Sequence, residues 1–276
     1  MKRITSPLKR ITSPLLHTVC VIALLLGAAQ SNPSLPQTPT STPQAALPSE
    51  LLVITQVIVK PEMMVEFQNF MKNTTNPALK KGGLKWRAVW QSTNYAGDAF
   101  EFVLVAPLEK FADFDGPSPL EKALGSQGFA QWTAKAGSLV KSVHRYIVRT
   151  RPDLGVMSKP YAPKLAVVAS VHVANGRNQD FENYIKNDLA PVMAKGGANY
   201  LVSQTIFGGD ANAYTTLTLR DNFAEIDKGP VPIQVLGPEG AQRLFDKLPA
   251  GTVTHLERSI MRFVPELSFM PAEMPK

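Results

Sequence analysis

Short runs of β-branched and apolar residues alternate along the chain with segments of helical periodicity, and this order occurs twice. The run 51–59 is rich in β-branched residues and ends before Pro61, which predicts a strand. In the run 165–173, valine and alanine alternate with more polar residues, which predicts a half-buried strand. We therefore expect each half of the chain to begin with a strand.

A helix is predicted after each of these strands, because three apolar residues recur there at helical spacing. They match across the two halves at a constant offset, since 181 − 67 = 114: Phe67, Phe70 and Met71 correspond to Phe181, Tyr184 and Ile185. A proline in each helix, Pro77 or Pro191, is expected to kink or restart it. The constant offset indicates an internal duplication.

Each half continues with a predicted hairpin, a second helical region and a final strand. Gly-Asp pairs separate the hairpin strands, and the final strands share the pattern Arg-x-Ile-x-Arg at 145–149 and 258–262. The resulting order, β-α-β-β-α-β, is that of the ferredoxin-like unit. We predict an α+β protein with two tandem ferredoxin-like repeats, at 51–155 and 164–269.

The first 31 residues have the pattern of a secretory signal peptide. A basic start is followed by a short apolar run, 19–26, and by small residues. This run is shorter than the roughly 20 residues of a spanning helix. We expect cleavage near Ala29 or Ser31, no stable membrane span afterwards, and export to the periplasm or the extracellular space; an uncleaved anchor is the alternative. Residues 32–50 are rich in Pro, Ser and Thr and predict a linker.

Composition excludes several kinds of site in the mature chain. The only cysteine, Cys20, lies in the predicted signal peptide, so neither a disulfide nor a thiolate site is expected after cleavage. The formal net charge of the full chain is +7, and the four positive charges Lys2, Arg3, Lys9 and Arg10 leave with the signal peptide. The remaining charge is too weakly basic to indicate a nucleic-acid partner.

Two ferredoxin-like units in tandem resemble the dimeric α+β barrel superfamily, in which two such sheets face each other across a barrel. The segment 184–191 is similar to a region of EthD-type domains that often has His two residues before Pro; this chain has Leu189 there, and Thr75 in the first half. The segment 207–214 is loosely similar to NIPSNAP-type domains. The resemblance implies a barrel closed by one chain, and hence a monomer with an intrachain pseudo-dimer.

In such a barrel, successive residues of each strand face alternately the helices and the interior. We expect the valines at 57, 59, 171 and 173 to face the helices. The predicted inward set is Gln56, Ile58, Ser170, His172, Phe102, Tyr214, Thr216 and Thr218, with Trp86 and Trp90 as aromatic walls. This mixed apolar and polar lining suits a small organic ligand.

His172 is the candidate catalytic residue, because it interrupts an apolar strand and could serve as a general base or as a haem ligand. A structural histidine is the alternative. Its counterpart in the first half is Ile58, so such a site would be asymmetric. His144 and His255 lack partners at metal-ligand spacing, and we predict no metal site.

Four arginines recur with the duplication and share one face of the last strand in each half. If that face lines the cavity, their guanidinium groups would favour an anionic ligand such as a carboxylate. Otherwise they are exposed or paired with acidic residues. They are Arg145, Arg149, Arg258 and Arg262.

Three functions are compatible with these patterns, and no cofactor is assigned. The first is an exported barrel that binds a small organic or anionic molecule. The second is a monooxygenase-like enzyme, cofactor-independent or haem-dependent, that acts in the barrel cavity. The third is a structural or interaction protein with a closed barrel. An open pocket containing His172 would favour the enzyme. A pocket ringed by arginines would favour the binding protein, and a barrel filled by bulky side chains would favour the structural protein.

Overall fold

The computed structural model describes residues 50–158 and 164–270. The predicted signal peptide and all but the last residue of the predicted linker lie outside this part of the chain. Among the described residues, no helix is both long enough and apolar enough to cross a membrane.

Eight strands build the barrel. They are β1 (Leu51–Val59), β2 (Ala88–Ser92), β3 (Glu101–Leu108), β4 (Val140–Thr150), β5 (Leu165–Val173), β6 (Tyr200–Phe207), β7 (Ala213–Arg220) and β8 (Val253–Phe263). They form one closed antiparallel barrel in the order β1-β3-β2-β8-β5-β7-β6-β4. The first four strands are thus adjacent in the order β4-β1-β3-β2 and the last four in the order β8-β5-β7-β6. The pairs β2–β8 and β4–β6 join the two sets, and closure removes free strand edges.

The helices lie between the strands in the same order in each half. They are α1 (Met64–Phe70), α2 (Asn76–Lys81), α3 (Pro119–Leu139), α4 (Asn178–Tyr184), α5 (Ala190–Lys195), α6 (Ala224–Asp227) and α7 (Val231–Phe245). Short 3₁₀ turns occupy Pro61–Met63, Phe111–Phe114 and Pro265–Leu267. The mixed α and β composition that the sequence predicts is confirmed.

A π-helical segment joins α1 to α2 and another joins α4 to α5, at Met71–Thr75 and Ile185–Leu189. Each segment is followed within two residues by a proline, Pro77 or Pro191. Proline has no amide hydrogen, and its ring collides with the carbonyl group four residues earlier. The wider π turn makes room for the ring, so the helix continues through the proline.

Two apolar cores lie between the helices and the barrel. In the first half, Val57 and Val59 of β1 pack with Phe67 of α1. In the second half, Val171 and Val173 of β5 pack with residues of α4 and α5. The prediction that these four valines face the helices is confirmed.

The long helices α3 and α7 each break at a glycine in the left-handed region. Gly125 has φ 68° and Gly237 has φ 71°. A residue with a Cβ atom is strained in this conformation, whereas glycine is not. Each glycine therefore lets the chain change direction between two helical segments.

Replacing Gly125 by alanine is expected to destabilise the protein by about 1–2 kcal/mol, because alanine must adopt the left-handed conformation. Gly137 lies in the same helix, and an added Cβ atom there meets nothing within 4 Å. Gly137→Ala should be neutral or stabilising by up to about 1 kcal/mol. Urea unfolding of both variants checks this, and equal stability of the two variants would show that the glycine break is not required.

Candidate functional site

The strand register determines which residues face the barrel interior. Residues directly opposite each other in an antiparallel pair lie on the same face of the sheet. Val57, which packs on the helices, lies opposite Phe102 of β3 and Val143 of β4. The alternate residue Gln56 must therefore face the interior, beside Val103 and His144.

The same argument places His172 and Ser170 in the interior. Ser170 lies between Thr215 of β7 and Glu257 of β8. His172 lies between Ala213 and His255. The inward orientation predicted for Gln56, Ser170 and His172 follows from this register.

One part of the interior is filled by apolar side chains. Trp90 of β2 is 7% exposed, and its ring lies edge-on to Phe263 of β8, with 5.4 Å between the ring centroids. The cluster comprises Trp90, Val103, Val105, Ala166, Val168, Leu201, Leu217, Leu219, Met261 and Phe263. Of the two predicted aromatic walls, Trp90 therefore lies inside the barrel.

The interior also has a polar end, formed by inward residues near the carboxyl ends of β1 and β5. Its members are Gln56, Glu101, His144, Tyr146, Ser170, His172, His255 and Glu257. Gln56 and Ser170 are partly exposed. Among the inward positions that the strand register defines, acidic side chains occur but Lys and Arg do not. The polar end therefore favours neutral or hydrogen-bond-donating ligands over anions.

The imidazole of His172 is held by a carboxylate. Its Nδ1 atom lies 3.0 Å from Oδ2 of Asp210, and 36% of the side chain is exposed. The backbone N–H of Asn212 and the His172 ring lower the pKa of the Asp210 carboxyl group, which therefore stays charged at neutral pH. With the Nδ1 proton directed at Asp210, Nε2 is the atom free to accept a proton.

A second histidine lies against the first. The ring centroids of His172 and His255 are 5.6 Å apart, and the rings meet edge to face. Nε2 of His255 lies 3.0 Å from Oε1 of Glu257. Two imidazole–carboxylate pairs thus lie side by side at the polar end.

The loop that carries Asp210 is fixed by Asn212. The backbone N–H of Asn212 donates to Oδ1 of Asp210 at 2.9 Å. Its side-chain amide donates to Oδ1 of Asn175 at 2.7 Å and accepts from Nδ2 of Asn178 at 3.1 Å. These bonds join the loop between β6 and β7 to the segment after β5, so Asp210 is positioned beside His172. From the sequence alone, Asp210 is predicted only to lie in the loop between two hairpin strands.

Tyr146 supplies a phenol to the same end of the interior. Burial raises its pKa to about 12, and the charge of Glu101 adds to the shift. Glu101 in turn accepts a hydrogen bond from Oγ of Ser92 at 2.9 Å. At neutral pH Tyr146 is therefore protonated and can donate a hydrogen bond to a ligand.

The predicted inward orientation of Phe102 and Tyr214 is corrected by the structure. Both are fully buried on the helix side, with ring centroids 5.1 Å from Phe67 and 4.8 Å from Phe181, respectively. Phe102 lies opposite Val57, and Tyr214 lies opposite Val171, so neither can point inward. Thr216 and Thr218 share the face of Tyr214 and are likewise not inward.

The four arginines do share one face, but it is the outer face of the barrel. Arg145 and Arg149 lie opposite Thr55 and Leu51, on the side of β1 that faces the helices. In the second half, Arg258 and Arg262 lie opposite Ala169 and Leu165. All four are exposed. They do not ring the interior, because strand alternation reserves that side for their neighbours.

Trp86, the second predicted aromatic wall, does not belong to the apolar cluster of the interior. It precedes β2 and lines a surface cleft together with Arg149. Of the predicted ligand-binding residues, the structure thus brings Gln56, Trp90 and Ser170 to the interior and Trp86 and Arg149 to this cleft.

The residues at the polar end do not fit a metal or a haem. In the described ranges, no group of three or more His, Cys, Asp or Glu side chains is placed to hold a metal ion. Haem carries two propionate groups, and the inward positions offer Glu101 and Glu257 but no Lys or Arg to neutralise them. We therefore derive no step through haem.

No protein-family model matches the sequence, and no curated protein is significantly similar to it. Solved structures are similar in fold. An anthrone oxidase-like protein is 11% identical, with a TM-score of 0.55 over 81% of this chain and 94% of that chain. A protein from Lactobacillus acidophilus NCFM, provisionally assigned as a monooxygenase, is 10% identical, with a TM-score of 0.52 over 78% and 94%.

A variant of the chlorite dismutase from Candidatus Nitrospira defluvii is also similar. It is 6% identical, with a TM-score of 0.51 over 80% of this chain and 94% of that chain. At these identities the likeness concerns the fold alone. The chain has the fold of the dimeric α+β barrel proteins.

Proposed function

We propose that the polar end of the barrel binds a small, uncharged organic molecule, and that His172 acts there as a general base in a cofactor-independent oxidation. The observation that carries this proposal is the His172–Asp210 pair at an inward position, with Nδ1 bound to the carboxylate at 3.0 Å. A carboxylate that orients imidazole and stabilises its protonated form is the usual support of a histidine base.

The proposed reaction needs only the substrate and O₂. Nε2 of His172 takes a proton from an acidic CH₂ group, and the carbanion transfers electrons to O₂ as a C–O bond forms. The O–O bond then breaks, the second C–H proton leaves, and a C=O group and one H₂O result. The phenol of Tyr146 is available to donate a hydrogen bond to the oxygen of an activating carbonyl group, which would stabilise the developing negative charge.

The fold comparison supports this reaction class without assigning it. One protein of similar fold is named anthrone oxidase-like and another is provisionally assigned as a monooxygenase. Anthrone has an activated CH₂ group next to aromatic rings and no charge, which matches the ligand properties inferred from the polar end. It is therefore a suitable probe.

We also infer that the barrel arose by duplication of a ferredoxin-like unit within one chain, and that the protein is an exported monomer. The two sets of strands have the same internal order. The π segments begin at Met71 and Ile185, and the helix breaks lie at Gly125 and Gly237, at nearly constant offsets. A single chain thus supplies both sheets of the barrel.

Oxygen uptake with anthrone tests the function. The wild-type protein should accelerate uptake above the spontaneous rate, and His172→Gln should lower the accelerated rate by about 100-fold, within the range for loss of a general base. Asp210→Asn should also lower it, whereas Asp180→Asn, at an exposed pair with Arg177 on α4, should not. Retention of the wild-type rate by a folded His172→Gln protein would refute the proposed base.

Ligand binding without turnover is the second candidate function. The observation that favours it is that the interior has an apolar part and a polar part. The apolar cluster around Trp90 fills the first, whereas Gln56 and Ser170 in the second remain partly exposed. A ligand-dependent change at Trp90 without oxygen uptake would support this function. If a panel of neutral aromatic probes produced neither oxygen uptake nor a change at Trp90, this result would support the closed, structural barrel.

A further inference from the structure

A cleft of about 460 Å³ opens at the surface, at the end of the barrel where β1 begins and where β3 and β4 end. Its volume lies within the range of small-molecule sites, which are typically about 300–1,000 Å³. The polar end of the interior lies near the other ends of these strands and contributes no residue to the cleft. The cleft is therefore a separate candidate site.

One side of the cleft is apolar. It is lined by Trp86, Leu51, Pro107 and Leu108. Leu108 is buried, whereas Trp86 is only partly buried and presents accessible aromatic surface. An indole next to aliphatic side chains favours the binding of a flat, apolar group.

Some of the charged side chains on the rim of the cleft have an ion-pair partner, whereas the side chain of Arg149 has none among the described residues. Lys85 and Glu109 form an ion pair at 2.5 Å, and this contact raises the pKa of Lys85. Arg149 is exposed, and within the described chain its guanidinium group makes neither a hydrogen bond nor an ion pair. The carboxylate of Glu50 also lines the cleft, and its backbone N–H donates to Oγ1 of Thr150 at 2.7 Å. The guanidinium of Arg149 is thus the cation available to a ligand.

The equivalent position in the second half does not form such a site. Arg262 has the register of Arg149, since each lies opposite the first residue of the neighbouring strand. Its guanidinium lies over the ring of Phe223, 5.7 Å from the centroid. Asn199, which precedes β6 as Trp86 precedes β2, is 1% exposed and accepts a hydrogen bond from the backbone of Ser158 at 2.8 Å. The second half thus offers a matched control.

We propose that this cleft binds a small aromatic carboxylic acid, with its ring against Trp86 and its carboxylate paired with Arg149. Carboxylate matches the fork of the arginine side chain, and the apolar wall accepts the ring. Because Glu50 lies on the same rim, an inorganic anion without an apolar body gains little here. This proposal does not depend on the oxidation proposed for the barrel interior.

The test uses ¹⁹F NMR of the full chain labelled with 5-fluorotryptophan. The chain has three tryptophans, and single Trp→Phe variants assign the resonances of Trp86, Trp90 and Trp132. The probes are 3-phenylpropionate and its uncharged analogue 3-phenylpropionamide, titrated at low salt. We expect 3-phenylpropionate to shift the Trp86 resonance and to bind about fivefold more tightly than the amide, as for one exposed ion pair.

Variants of the two matched arginines then test the contact itself. Arg149→Gln should remove the preference for the acid while leaving amide binding within about twofold. Arg262→Gln should retain the preference. The proposal is overturned if the acid leaves the Trp86 resonance unshifted, or if Arg149→Gln keeps the fivefold preference. A shift of Trp90 alone would place binding in the interior and would also overturn it, leaving the function proposed for the polar end intact.

Discussion

Replacing Phe102 by alanine is expected to lower the free energy of unfolding by about 3–5 kcal/mol, which is typical of a buried phenylalanine. Phe102 is fully buried, and its ring packs against Phe67 in the core between β1, β3 and α1. Truncation leaves a cavity that the surrounding strands cannot close. Urea unfolding measures the loss.

Phe114→Ala is the matched control for this prediction. The chemical change is the same, but Phe114 is 56% exposed, and its ring centroid lies 6.4 Å from that of Phe111, which is also exposed. Its truncation should cost less than about 1 kcal/mol. If Phe102→Ala cost no more than the control, Phe102 would not be a core residue, and the orientation of β3 derived from the register would be wrong.

Replacing Arg151 by methionine is expected to lower the free energy of unfolding by about 2–3 kcal/mol at pH 7. This loss is smaller than for a fully buried ion pair, because the site is partly exposed. Arg151 donates to Glu182 of α4 at 2.5 Å and 2.8 Å, and to both carboxylate oxygens of Asp153. Tyr214 donates to the same glutamate at 2.6 Å. Methionine leaves the Glu182 carboxylate largely buried without a cation.

The pH dependence of this loss identifies its cause. In the wild type, the hydrogen bonds from Arg151 lower the pKa of both Glu182 and Asp153. Their contribution is therefore fully present above the unfolded-state values near 4, and is lost as the pH falls through the lower folded-state values. In Arg151→Met, burial instead raises the pKa of Glu182, and protonation relieves the uncompensated charge.

The difference in stability between wild type and Arg151→Met should therefore shrink as the pH is lowered from 7 to about 4. Urea unfolding at both pH values measures it. Arg243→Met is the control, because Arg243 forms only a 3.8 Å contact with Glu239 and both side chains are largely exposed; its effect should stay below about 0.5 kcal/mol at either pH. A pH-independent loss in Arg151→Met would indicate packing rather than charge as the cause.

Strand positions were the most predictable part of this fold. The predicted bounds of β1 and β5 agree with the structure, because β-branched runs with clear ends are a local signal. The last strands are longer than predicted: β4 covers Val140–Thr150 and β8 covers Val253–Phe263, around the patterns 145–149 and 258–262. β4 follows α3 directly and without a break signal, so only its pairing with β1 defines where it begins. Pro249 and Gly251 do separate β8 from α7, but the first residues of β8 carry no β-branched run that marks its start beyond Val253 and Thr254.

The candidate site was predicted in part. His172 stood out because a histidine interrupts an apolar alternation, and the register does place it inward. Its partner Asp210 is 38 residues away and lies in a hairpin loop, so their contact depends on the pairing of β5 with β7. Trp86 and Arg149 are likewise separated in sequence and line one cleft only because the start of β1 lies beside the ends of β3 and β4.

By itself, the sequence determined the order of the elements and the two alternating faces of each strand, because both depend on neighbouring residues. Only the tertiary structure determines which of the two faces lines the interior. The sequence predicts that Phe102 and Tyr214 line the cavity, yet they pack under the helices, since they lie opposite Val57 and Val171. The arginines of β4 and β8 face outward for the same reason. Alternation distinguishes two faces, but only closure of the barrel makes one of them the inside.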